Sequence, residues 1–180
     1  MIEIRWYGRG GQGAFTAARL LGRAASVYED NYALAFPSFG PERRGAPVWS
    51  FTRIDQKPIE DRSQPTDCQY LVVLDTSLIT KETYKVLRKD GVVILNTAKA
   101  EKYKEFFNQK IVTVDATQIA LEILKRPLMN VAMIGALVGA TGVINIQSVS
   151  KTLKETFSPA LYKKNSEVLY KTYDFVRGVE

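Results

Sequence analysis

Residues 8–13 read Gly8-Arg9-Gly10-Gly11-Gln12-Gly13, and their types and spacing could do chemistry. Gly8, Gly10 and Gly13 satisfy the G-x-G-x-x-G fingerprint, which carries meaning only where a strand leads into a helix. Here residues 2–7 alternate like a strand, and residues 14–28 carry Phe15, Ala18, Leu21, Ala25 and Tyr28 near helical spacing. Glycine tolerates positive φ and lets the backbone come close to a ligand. A helix that starts on such a turn offers unpaired N–H groups and a positive dipole end to a phosphate or carboxylate. Arg9 is placed to add a charge-assisted contact. The plainer reading is a tight strand-to-helix turn. Four glycines in six residues exceed what a turn requires, which points to a ligand, or to another protein's backbone packed on the loop.

A second loop, residues 36–47, runs Phe-Pro-Ser-Phe-Gly-Pro-Glu-Arg-Arg-Gly-Ala-Pro. Its prolines and glycines exclude regular structure. Phe39, Gly40, Glu42, Arg43, Arg44 and Gly45 are candidate site residues, because charged loops between rigid elements are where sites concentrate. A solvated arginine pair is the alternative. Two further residues are candidates by position. Asp75 closes the apolar run 70–74, at the carboxyl end where open α/β sheets place ligands; it could equally cap the next segment. Asn130 opens an apolar helix and could cap it or face a partner subunit. No catalytic residue and no metal ligand is assigned.

The elements that must position these residues follow from periodicity. Further strands are expected over 32–36, 48–54, 70–74, 92–96 and 111–115, with a short antiparallel return at Pro58-Ile59. Continuous apolar runs such as 70–74 and 92–96 read as central strands covered on both faces. Helices are expected over 81–88 (capped by Thr80 and stopped by Gly91), 101–107, 118–125 (capped by Thr117 and ended by Pro127), 130–137, 148–157 and 161–177. In the last, Leu161, Val168, Leu169, Tyr173 and Val176 point to the core. Gly135 and Gly139, four apart, read as a close packing seam. The fold class is α/β: a Rossmann-like three-layer domain with a mostly parallel central sheet and helices on both faces. No linker or repeat divides it, so residues 1–180 form one domain.

Composition limits the chemistry. One cysteine, Cys68, and no histidine exclude an internal disulfide, a chain-borne iron–sulfur cluster with its usual four thiolates, and histidine triads. Zinc chemistry is implausible for the same reason. The net charge of +6 comes from scattered lysines and arginines, which reads as a solvated surface with no nucleic-acid module. No signal-peptide pattern and no membrane-span pattern is visible, so a cytoplasmic protein is expected. A nicotinamide-binding domain needs an acid at the end of its second strand; Phe36-Pro37 stand there, which argues against a free-standing dehydrogenase. Much of any reaction must therefore be supplied by other chains.

The two glycine-bearing loops, the strand ending at Asp75, and Asn130 with Gly135-Ala136 together resemble the gamma subunit of 2-oxoacid:ferredoxin oxidoreductases over nearly the whole chain. Phe-Gly-Pro-Glu-Arg-Arg-Gly-Ala-Pro is most similar to the pyruvate-type enzymes, with 2-ketoisovalerate enzymes next. The resemblance implies one subunit of a cytoplasmic complex, inactive alone. The complex oxidatively decarboxylates pyruvate with coenzyme A to acetyl-CoA, CO2 and reduced ferredoxin. Thiamine diphosphate, Mg and [4Fe–4S] clusters are then expected on alpha, beta and delta type subunits, with ferredoxin reached through the complex. In isolation a homodimer is plausible. Nucleic acid and membrane are not expected partners. The glycine loop, with Arg9, Arg43 and Arg44, would bind either anionic groups of coenzyme A or a partner subunit.

Overall fold

The computed structural model describes residues 1–38, 44–80 and 82–178. Six strands form one sheet: β1 (Ile2–Arg9), β2 (Tyr32–Pro37), β3 (Pro47–Asp55), β4 (Cys68–Val73), β5 (Leu87–Asn96) and β6 (Lys110–Val114). Their order is β2-β3-β1-β4-β5-β6. β1, β4, β5 and β6 are parallel neighbours, whereas β3 runs antiparallel to both β1 and β2. Five α-helices accompany it: α1 (Ala14–Tyr28), α2 (Ala116–Leu124), α3 (Asn130–Thr141), α4 (Ile146–Thr156) and α5 (Pro159–Arg177).

The alternation of each strand sorts its side chains into two cores. Ile4 and Trp6 of β1, with Val72, Ile94 and Val114, meet the α-helices in the larger core. There Trp6 Nε1 donates to Thr52 Oγ1, which donates to the Ala18 carbonyl of α1, so the buried polar atoms are paired. The opposite face buries Tyr7, Leu71, Val73, Val93 and Leu95 beneath Leu78, Tyr103 and Phe107. Short 3-10 helices at Thr76–Leu78, Thr83–Val86 and Glu101–Tyr103 supply that cover. Helices thus lie on both faces, α-helices on one and 3-10 helices on the other.

α3 is apolar all round and almost wholly buried, as expected of a central helix. Gly135 and Gly139 let it approach α5: a methyl group at Gly135 would overlap the Leu169 carbonyl and the Thr172 hydroxyl, and one at Gly139 would lie 2.8 Å from the Tyr173 carbonyl. The close seam expected from their spacing is present.

Several expectations need correction. The helix over 81–88 is absent: the 3-10 turn Thr83–Val86 gives way to β5 at Leu87, and Lys81 lies outside the described residues. Leu87 packs in the second core, so tertiary burial overrides a helical local pattern. Gly91 does not stop a helix. It sits in β5 where the β4–β5 register shifts, and a Cβ there would lie 2.7 Å from Leu87 and 2.9 Å from the Gln69 carbonyl. Pro58-Ile59 form no strand, and 101–107 is helical only at Glu101–Tyr103. Asp115, not Thr117, caps α2 by accepting from the Gln118 N–H at 2.9 Å. α2 ends before Pro127, at Leu124, with Lys125 in the left-handed conformation. Asn130 is the first residue of α3, which starts after Met129 and without a side-chain cap. α4 starts at Ile146, capped by Asn145. Leu161 is half exposed and turned away from the core.

Candidate functional site at the carboxyl crest

The glycine turn leaves β1 at the carboxyl end of the parallel strands. Gly11 (φ 97°) and Gly13 (φ 81°) take the left-handed backbone that side chains resist. Gly13 also lies so close to Asn130 that a Cβ would stand 2.9 Å from its amide nitrogen. The second loop joins the first through backbone: Gly10 N–H donates to the Ala46 carbonyl at 2.9 Å, and Gly45 N–H to the Gly10 carbonyl at 3.0 Å. Gly10 and Arg44 form a parallel bridge. Phe39, Gly40, Glu42 and Arg43 lie outside the described residues.

Arg9, Gln12 and Asp75 clamp the crest. Arg9 Nε donates to Asp75 Oδ2 at 2.8 Å, Nη1 to the Gly45 carbonyl at 3.0 Å and Nη2 to Ser77 Oγ at 3.0 Å. Gln12 Nε2 donates to the same Asp75 oxygen at 3.2 Å, and Gln12 Oε1 accepts from the Arg9 N–H at 2.7 Å. Asp75 also caps the 3-10 helix Thr76–Leu78 through the Ser77 N–H. Burial works against the Asp75 carboxylate, but hydrogen bonds from Ser77, Gln12 and Arg9 outweigh it and hold its pKa below the ordinary value. One guanidinium thus ties three loops together, using three of its five N–H donors within the chain.

That clamp decides what the fingerprint can do. Between the parallel strands β1 and β4 the order of strand addition reverses, the place where a doubly wound sheet receives a dinucleotide. Gln12 and Asp75 are bonded to one another there, and the Gln12 amide oxygen accepts from the Arg9 N–H. Phe36 and Pro37 end β2 as expected, without the ribose-binding acid. The open space lies on the other side of the turn. A cleft of about 360 Å³ runs from Gly11, Gly13 and the first turn of α1 to Pro37, Pro47 and Trp49. The first intrahelical bond of α1 is Ala17 N–H to the Gly13 carbonyl, which leaves the N–H groups of residues 14–16 free to meet an anion. No acidic side chain occupies that turn. Arg9 also lines the cleft, and the exposed Arg44 bridges Gly10, another of its lining residues.

The structure therefore brings together Gly8–Gly13, Arg44, Gly45 and Asp75, with Asn130 behind Gly13. Ser77 was missed, although a serine two residues after a strand-end aspartate is a turn signal. Asn96 was also missed. It ends β5 and joins the crest, its amide donating to the Leu74 carbonyl and to Thr117 Oγ1, both at 2.8 Å.

Among the described residues no three His, Cys, Asp or Glu side chains come together as a metal-holding group. Cys68 does not fit as a cluster ligand, since it is buried in β4 and burial pushes its thiol up to about 12. No helix among the described residues is long and apolar enough to cross a membrane.

A Rossmann-like sheet whose glycine turn is clamped by Arg9, Gln12 and Asp75 defines the class. The sequence profile of the pyruvate ferredoxin/flavodoxin oxidoreductase family matches residues 3–175, and the chain belongs to that family. It is 50% identical over 176 residues to pyruvate synthase subunit PorC of Methanothermobacter marburgensis, covering 97% of each chain. It is 48% identical over 180 residues to the pyruvate/ketoisovalerate oxidoreductases common subunit gamma of Pyrococcus abyssi, covering 97% of this chain and 96% of that one. The crystal structure of pyruvate oxidoreductase subunit PORC from Thermotoga maritima superposes with a TM-score of 0.86 at 37% identity, covering 96% of this chain and 95% of that one.

Proposed function

We propose that this chain is the gamma subunit of a pyruvate:ferredoxin oxidoreductase complex, which converts pyruvate and coenzyme A to acetyl-CoA, CO2 and reduced ferredoxin. The observation that carries the reading is 50% identity to a pyruvate synthase subunit across 97% of both chains. A 2-ketoisovalerate enzyme is the second reading, favoured by the Pyrococcus relative named for both substrates. Thiamine diphosphate, Mg and [4Fe–4S] clusters belong to alpha, beta and delta type partners, and the isolated chain is inactive. Within the complex, the cleft at the start of α1 holds an anionic group of coenzyme A. Its free helix N–H groups and the exposed Arg44 are the donors, while Arg9 sets the shape of the loops.

Purification of the native chain tests the assembly, with partner subunits and brown iron–sulfur absorbance expected in the eluate. In the purified complex, Arg44→Ala should raise KM for coenzyme A by about tenfold, the loss of one charge-assisted contact, and leave KM for pyruvate unchanged. An unchanged KM for coenzyme A together with weakened assembly would instead assign the cleft to a partner's carboxylate. A chain that purifies alone and binds NAD with micromolar affinity would overturn the reading.

A further inference from the structure

The cleft at the start of α1 has a wall that the chain leaves unsatisfied. Ser50 of β3 lines it, although the residue is only 1% exposed. Register pairs Ser50 with Trp6 of β1 and Pro37 of β2. The alternation of β3 turns it to the α-helix side, like Thr52 two residues on. The two hydroxyls differ in their partners. Thr52 Oγ1 accepts from Trp6 Nε1 and donates to the Ala18 carbonyl. The Ser50 hydroxyl has no hydrogen-bond partner among the described residues. A buried hydroxyl without a partner is costly, and an apolar β-former at this position would avoid the cost.

The rest of the lining has the same character. Thr16 in the first turn of α1 and Ser38 just past β2 also line the cleft, and neither hydroxyl has a partner among the described residues. The Ser38 N–H donates to the Trp49 carbonyl at 2.8 Å, which ties that end of the cleft to β3. The N–H groups of residues 14–16 are free, as described above. No Asp or Glu among the described residues lines the cleft. Donors therefore come from two separate elements, α1 and β3, and no negative charge opposes an anion between them.

We propose that Ser50 and Thr16 are ligand-contacting, specificity-determining residues of this cleft, and that the anionic group they receive is a phosphoryl group and not a carboxylate. The inference rests on the coenzyme A reading above. A carboxylate has two oxygens in one plane, and the N–H groups of α1 alone engage both. A phosphoryl group is tetrahedral, so oxygens that meet α1 leave another directed at β3, where the Ser50 hydroxyl is the donor. A hydroxyl donating to an anion forms a short, charge-assisted hydrogen bond. Ligand binding thereby supplies the partner that the fold withholds from Ser50.

The test uses the purified complex with the wild-type chain, Ser50→Ala or Ser50→Thr. It reads KM and kcat for coenzyme A, and competition by adenosine 3′,5′-bisphosphate, which carries phosphates without the pantetheine arm. Ser50→Ala removes an unpaired buried hydroxyl, so the isolated chain should melt at the wild-type temperature or above it. KM for coenzyme A should rise by about tenfold with kcat unchanged, the loss of one charge-assisted contact. The bisphosphate should compete about tenfold less well. Ser50→Thr keeps the hydroxyl and should recover most of the loss. An unchanged KM in Ser50→Ala, beside a raised KM in Arg44→Ala, overturns the assignment of Ser50 and leaves the coenzyme A reading intact. A raised KM without weaker competition by the bisphosphate, or a bisphosphate that does not compete with the wild type at all, overturns the phosphoryl group. A lower melting temperature of Ser50→Ala overturns the proposal too, since Ser50 would then serve the fold. If neither Ser50→Ala nor Arg44→Ala changes KM for coenzyme A, both readings fail.

Discussion

The crest turn at Gly11 and the α3–α5 seam at Gly135 both depend on glycine, and a side chain would fail at each for a different reason. At Gly11 the space beyond the backbone is open, but φ is 97°. At Gly135 the backbone is ordinary helix, but the Leu169 carbonyl and Thr172 hydroxyl occupy the place of a Cβ. The first glycine is required by conformation and the second by proximity. Conformational strain is local and can be absorbed by a loop at the surface. An overlap with buried backbone must move a helix, and interiors are too densely packed to yield cheaply.

The comparison predicts an order of effects. Gly135→Ala should be the most damaging, destabilising the isolated chain by about 3 kcal/mol and lowering its Tm by roughly 6–12 °C. Urea denaturation read by circular dichroism measures it.

Asp75→Asn should come next. It removes the carboxylate from Arg9 while keeping the shape of the clamp, at a cost of about 1.5–2 kcal/mol for one charge-assisted interaction at a partly exposed site. The sign of its pH dependence follows from the depressed pKa of Asp75. Its folded value lies below the unfolded reference of about 3.9, so the stabilisation is fully present above that reference and is lost as pH falls through the folded value. The gap in Tm between wild type and Asp75→Asn should be widest near neutrality and close below about pH 4. A gap that stays constant down to pH 3 would mean that the charge of Asp75 does not hold the crest.

Gly11→Ala should be the mildest, about 1 kcal/mol, since only the left-handed backbone resists it. If it destabilised the chain as much as Gly135→Ala, the distinction between conformation and proximity would not hold.

Much of the architecture was legible because burial and periodicity are written locally. α1 occupies the span its alanine spacing predicts, β5 contains the apolar run 92–96, and β4 carries the run from Tyr70 but ends at Val73, one residue short of the expected strand. The α3–α5 seam was visible in the four-residue spacing of its glycines. What could not be read depends on partners far away in sequence. The pattern around residues 81–88 suits a helix in isolation, yet Leu87 is claimed by the second core. The residues of the crest were visible, but their division of labour was not. Arg9 was expected to meet an anion or a partner subunit, and the pattern did not show that three of its donors go to Asp75, Ser77 and the Gly45 carbonyl. Nothing in a one-dimensional pattern shows that Gln12 folds back onto the Arg9 N–H. The unpartnered hydroxyl of Ser50 is equally invisible, because it depends on how the first turn of α1 lies over β3.

The antiparallel strand β3 has a consequence for how the chain acquires its shape. Because β2 and β3 are consecutive and run in opposite directions, the loop that links them turns back at the same end of the sheet as the glycine turn after β1. A parallel arrangement would have sent the connection across the sheet on a crossover helix. The two glycine-bearing loops therefore meet across a separation of 36 residues between Arg9 and Gly45, against 66 between Arg9 and Asp75, so their closure is the less costly of the two in entropy. Asp75, two residues past the end of β4, adds the longer-range tie by which the half of the sheet beyond β1 fixes both loops through Arg9.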